Sequence, residues 1–148
     1  MAALLGWEDA HAGWTQIVDG VPAGKWNARA PGLPHTLWEL LEHIRLAQRD
    51  ILEFCRDSGY SQPDWPDDYW PDPATPATED AVRQSKADYL EDRGSLTRLA
   101  LDESIDLFAS IPHGSGQTYL RELLLVADHT SYHLGQMIAV RQALGIWK

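Results

Sequence analysis

Two histidines, His129 and His133, stand four residues apart in a stretch of helical periodicity near the end of the chain. That spacing projects both imidazoles from one helix face about one turn apart, the reach needed to share a metal ion. The spacing is common, so its surroundings carry the argument. Val126, Met137 and Val140 share the histidines' stripe, opposite a second apolar stripe of Leu120, Leu123, Leu124, Ala127, Leu134 and Ile138. The helix is therefore expected to be buried on two sides with its imidazoles inward. His43 lies between Leu40 and Ala47 at helical spacing, so it too borders an apolar face. Buried imidazoles need partners. Either each is a core histidine bonded to a neighbour, or His43, His129 and His133 together hold one divalent ion, for which Zn or Ni suits an all-imidazole site.

Three imidazoles leave at least one coordination position open, the pattern of a catalytic centre. An ion there could lower the pKa of bound water toward ~7 for hydrolysis, or stabilise a thiolate that attacks an electrophile. Other metal chemistries fit less well. A zincin peptidase would need glutamate after the first histidine, where Thr130 stands. A ferritin-like di-iron site would need glutamate three residues before His43 and His129, where Leu40 and Val126 stand. Ser115, between Gly114 and Gly116, lacks a nucleophile elbow. His11, His35 and His113 read as surface or turn histidines. Tyr132 could donate a hydrogen bond near the site or pack in the core, and Gln136 could support a ligand or face another helix.

The elements that must position these residues are helical, since no stretch alternates with period two. A first helix is expected from about Ala2 to Asp19, interrupted in register by Gly6 and Gly13, then a loop over Gly20 to Pro34. A capping box of Thr36 and Glu39 opens the second, whose apolar positions run to Leu52 and which should end near Ser58 or Gly59. From Tyr60 to Pro76 the prolines prevent a regular helix. Trp65, Tyr69 and Trp70 in that stretch should pack back onto the bundle, the other reading being that they line a pocket. A third helix starts around Pro76 to Glu79 and continues to about Ala100. The last is capped by Thr118 and closed by Gly145. The simplest packing is a four-helix bundle with a long aromatic and proline-rich loop between helices 2 and 3.

At 148 residues the whole chain reads as one domain. A net charge of -10 repels a phosphate backbone or an anionic lipid surface, so neither nucleic acid nor membrane is expected as a partner. The single cysteine, Cys55, excludes an intrachain disulfide and every Cys-rich zinc pattern. The start carries Glu8 and Asp9 and no basic region, unlike a signal peptide, and a cytoplasmic location is the default expectation.

HTLWELLEHIRLAQRDIL and, far downstream, LRELLLVADHTSYHLGQMIAVRQALGIW resemble the DinB-like superfamily of metal-binding four-helix bundles, which includes the YfiT-type proteins. The resemblance covers most of the chain. It implies a first ligand in the W-x-x-x-x-H context of Trp38 and His43, and two more in the H-x-x-x-H-x-G-Q pattern of His129, His133, Gly135 and Gln136. It also suggests a homodimer. Members of that family transfer a low-molecular-weight thiol to an electrophile, isomerise with a thiol cofactor, or are described as metal-dependent hydrolases, and fold does not choose among these. The expectation is a metal-dependent thiol transferase or hydrolase acting on a small molecule, with a non-catalytic metal-containing binding protein as the alternative.

Overall fold

The computed structural model describes residues 1–6 and 10–147. Its α-helices are α1 (Ala2–Leu5), α2 (Leu37–Arg56), α3 (Glu79–Leu101) and α4 (Tyr119–Ala143), and no strand occurs among the described residues. The architecture is a four-helix bundle in which three sides are long helices and the N-terminal segment makes the fourth. Caps set the long helices. Thr36 accepts from the Glu39 amide while the Glu39 carboxylate accepts from the Thr36 amide, closing the expected capping box. Thr78 and Thr118 each accept from the amide three residues on. Each such bond satisfies an amide that the helix cannot. At the far end of α4, Gly145 takes φ +69, the left-handed conformation that ends the helix.

The first helix departs from expectation. Instead of running from Ala2 to Asp19, α1 stops at Leu5 with Gly6 beyond it, residues 10–13 are not helical, and a π-helical turn occupies Thr15–Asp19. Residues 7–9, within the expected helix, lie outside the described set, as does Lys148. Glycine costs roughly 1 kcal/mol against alanine inside a helix, so Gly6 and Gly13 weaken a continuous one. Tertiary contacts then decide the path. Trp14 stacks on Tyr89 of α3 at 3.6 Å, and Ile17 and Val18 are fully buried.

The wide turn also presents carbonyls to Arg141 near the end of α4. Its guanidinium donates to the carbonyls of Gln16, Ile17, Gly20 and Ile146 and lies 4.7 Å over the Trp147 ring. A Cβ at Gly20 would come within 2.9 Å of that guanidinium, so a larger residue there would push Arg141 off the carbonyls.

The core forms two clusters. One gathers Trp14, Trp26, Leu37, Leu41, Ile44, Tyr89 and Met137, and the other gathers Ile51, Leu52, Cys55, Leu96, Leu123 and Val126. On α4 the buried stripe differs in part from the expected one. Leu123, Val126, His133, Leu134, Met137 and Val140 face inward, whereas Leu124 is 45% exposed. The reason is that α4 meets α2 along the face bearing Val126 and His133, and Leu124 lies on the opposite side of the helix.

Candidate metal centre

α2 and α4 pack together, and where they meet, their inward faces place His43 against His129 and His133. The ring centroids lie 4.8, 4.5 and 4.4 Å apart for the pairs 43–129, 43–133 and 129–133. One ligand atom from each residue falls within 4.8 Å of the others, a group that could hold a metal ion. The closest pair is His43 Nε2 and His129 Nε2 at 3.1 Å. Two nitrogens ~2.0–2.1 Å from a tetrahedral ion stand about 3.3 Å from each other, so this spacing matches a shared ion.

The outer nitrogens show how the rings are held. His43 Nδ1 lies 2.8 Å from the Tyr69 carbonyl, which can only accept, so the proton sits on Nδ1 and Nε2 of the neutral ring is a bare donor atom. His133 Nδ1 lies 2.8 Å from Gln136 Oε1, which fixes the same tautomer. A hydrogen bond at the distal ring nitrogen is the usual support for an imidazole that ligates a metal.

Burial sets the protonation state. His43 and His133 are only 2% and 7% exposed, while His129 is partly exposed. Loss of solvent lowers the pKa of all three below the ordinary value. His43 is affected mainly by burial, opposed by the Tyr69 hydrogen bond, and His133 by burial, opposed by Gln136. His129 is pushed down to about 4 by burial and by the two neighbouring imidazoles. Neutral rings at pH 7 are the ones that can donate a lone pair to a cation.

The connection between α2 and α3 completes the site. It is extended apart from a 3₁₀ turn at Asp67–Tyr69. Trp70 lies flat on His43 at 3.9 Å and 2°, and His35 also stacks on Trp70 at 4.2 Å. Tyr69 is buried, and its hydroxyl bonds to Asp50, two turns along α2 from His43. The Tyr60 hydroxyl donates to the same carboxylate at 2.5 Å. Asp50 thus latches the loop whose carbonyl and indole orient His43. Trp65 does not pack down as expected: it is 64% exposed, since Tyr69 and Trp70 already occupy the inner positions.

His11 and His113 lie elsewhere, bonded to the Ala12 and Phe54 carbonyls. His35 is nearer the site than its sequence position suggested, because Trp70 bridges it to His43. Tyr132, 63% exposed, sets its ring 4.8 Å from His133 in an edge-on contact and is not core packing. Ser115 lies in the turn before α4, its amide on Gln117. Sequence reasoning missed the Tyr69 carbonyl, the Trp70 stack and the Asp50 latch. The aromatic residues among prolines were the one available signal.

An all-histidine cluster between two helices of a bundle, with its rings neutral and two of them oriented from behind, places the chain among helical-bundle proteins suited to holding a metal. A narrower placement comes from comparison with known families: residues 7–137 match the DinB superfamily, and the chain belongs to it. Searches of curated proteins and of solved structures each gave no significant match. No helix among the described residues is long and apolar enough to cross a membrane.

Proposed function

We propose that His43, His129 and His133 hold one divalent metal ion, Zn or Ni, and that the centre transfers a low-molecular-weight thiol to a small electrophile. The observation that carries the reading is the meeting of three imidazoles, with Nε2 of His43 and of His129 3.1 Å apart and with His43 and His133 held from behind by hydrogen bonds at Nδ1. A divalent ion bound there supplies Lewis acidity, which both thiol transfer and hydrolysis use. The histidines bind and orient, Tyr69 and Gln136 hold their tautomers, and Trp70 shields His43 from water. In the transfer, the sulfur forms a bond to the electrophilic atom, the leaving group departs with its electron pair, and the thiol proton passes to solvent.

The choice between the two chemistries rests on the proton acceptor. In the last helix Thr130 follows His129 where a zincin-type site would carry a glutamate base to draw a proton from water. A thiol with pKa near ~8.5 ionises close to neutrality and needs no such base. Deep burial of His43 and His133 favours a second reading, a metal-containing binding protein without turnover, while the partial exposure of His129 favours reactivity. The net charge of -10 supports a small-molecule partner over nucleic acid or an anionic membrane. A homodimer in the cytoplasm completes the proposal.

Metal analysis of the purified protein beside His43→Ala, followed by thiol-transfer and ester-hydrolysis assays, tests the reading. Turnover that needs an added thiol, and that chelation abolishes, supports it. Hydrolysis without thiol would move the assignment to a hydrolase. Metal-loaded protein inactive in both assays would leave the binding protein.

A further inference from the structure

Two aromatic rings flank the histidine cluster without being buried by it. Trp65 reaches within 6.3 Å of the His43 ring, and Tyr132 within 4.8 Å of His133, yet each is more than 60% exposed. Exposure alone means little, since Phe108 is 78% exposed in the turn region between α3 and α4. Position distinguishes the pair. Trp65 comes from the loop covering α2, where its edge-on contact with the buried Tyr69 at 4.9 Å holds it in place. Tyr132 comes from the outer flank of α4, three residues from His129, and residues so spaced are neighbours on a helix surface. His129 is the least buried of the cluster, and Tyr132 stands beside it on the same flank of α4.

Rigid exposed rings offer flat apolar area at low entropic cost, and aromatic faces favour other planar groups. We propose that Trp65 and Tyr132 form an aromatic clamp at the mouth of the metal centre. The clamp selects small organic molecules that carry an aromatic or conjugated planar group beside the atom reaching the ion. This deepens the metal-centre reading and rests on it.

The test compares two metal-directed probes, benzohydroxamate and acetohydroxamate, titrated calorimetrically into the zinc-loaded protein. The clamp gives about a tenfold preference for the aromatic probe. Trp65→Ala and Tyr132→Ala each bring the ratio toward unity, Trp65→Phe keeps most of it, and Phe108→Ala leaves it unchanged. Equal affinities in the wild type, failure of both probes to bind the loaded protein, or a preference that survives both alanine variants would overturn the clamp and leave the metal site standing. Wild-type protein that takes up no zinc would overturn the metal reading and the clamp together. Light scattering on the same samples covers the competing occupant: a wild-type dimer that both alanine variants turn into monomers would assign the rings to a subunit interface and overturn the clamp.

Discussion

α4 buries polar side chains in two places, and they are treated in opposite ways. Near its end, Arg141 is 5% exposed and donates four hydrogen bonds to backbone carbonyls, so its charge meets fixed dipoles on several sides. Two turns earlier, His133 shares a pocket of imidazoles with His129 and His43, where hydrogen bonds to the fold hold the outer nitrogens of His43 and His133 and the inner Nε2 atoms of His43 and His129 meet each other. Burial lowers the pKa in both regions, yet the guanidinium stays charged and the imidazoles stay neutral at pH 7. Arg141 turns all of its guanidinium but Nε onto carbonyls of the fold, which is a structural use. The two Nε2 atoms 3.1 Å apart have only each other, and an ion could take their place as partner.

The sharpest way to break this contrast is Arg141→Met. It removes donors from the carbonyls of Gln16, Ile17, Gly20 and Ile146, and buried acceptors left without partners are expensive. Urea denaturation should show a loss of about 3–5 kcal/mol, a magnitude set by breaking a buried charged network. The metal content of whatever remains folded should match the wild type. Loss of metal in step with stability would mean that the two regions are one unit.

The reciprocal substitution acts on the ion. His43→Ala, His129→Ala and His133→Ala should each strip metal from the purified protein, with metal-free stability changed by about 1 kcal/mol. His11→Ala, His35→Ala and His113→Ala should retain it. For the wild type at free metal 100 times the dissociation constant, chelation should lower stability by about 2.7 kcal/mol and the melting temperature with it. Unchanged metal content in all three triad variants would remove the site.

Smaller still is the effect of loosening the rings without touching them. Tyr69→Phe keeps the carbonyl on His43 but releases the side chain from Asp50, and Gln136→Ala removes the acceptor behind His133. Each should weaken metal binding by about 10- to 100-fold, the usual consequence of losing a supporting hydrogen bond. The measurement is competition with a chromophoric chelator. Affinities equal to the wild type in both variants would show that packing alone orients the imidazoles.

The three histidines that the fold brings together could be found from the sequence, but what supports them could not. Helical spacing and side-chain caps are written in residue types, so α2 and α4 begin where Thr36 and Thr118 indicate, and α3 begins within the expected Pro76 to Glu79 span. The triad was legible for the same reason: its members lie on periodic apolar faces. Backbone acceptors leave no such mark, because every residue carries a carbonyl, which hid both the Tyr69 contact and the Arg141 knot. The N-terminal segment misled because Trp14 stacking and carbonyl capture by Arg141 act over long sequence separations and override a local helical pattern. Trp65 misled because a composition that predicts packing cannot say which of three aromatic residues the fold leaves outside.

The finest test of the contrast is how little the metal affinity should depend on pH near neutrality. Protons compete with an ion for the same lone pairs, and free imidazoles with pKa ~6.5 would already be losing that competition at pH 6. Here His129 titrates at about 4, and His43 and His133 lie below the ordinary value, so proton competition is displaced toward acid. Affinity measured in a buffer series should change little from about pH 7.5 to about pH 6 and then fall. The metal-free protein obeys a linked sign. Its histidines have lower pKa values folded than unfolded, so between those values the unfolded chain binds more protons and stability rises with pH. The stabilisation is complete above the unfolded value near ~6.5 and is lost as pH falls toward the folded values, about 4 for His129. Arg141 remains charged throughout and contributes no such slope. An affinity that drops steeply between pH 7 and pH 6 would place the imidazoles in water and erase the difference between the two regions.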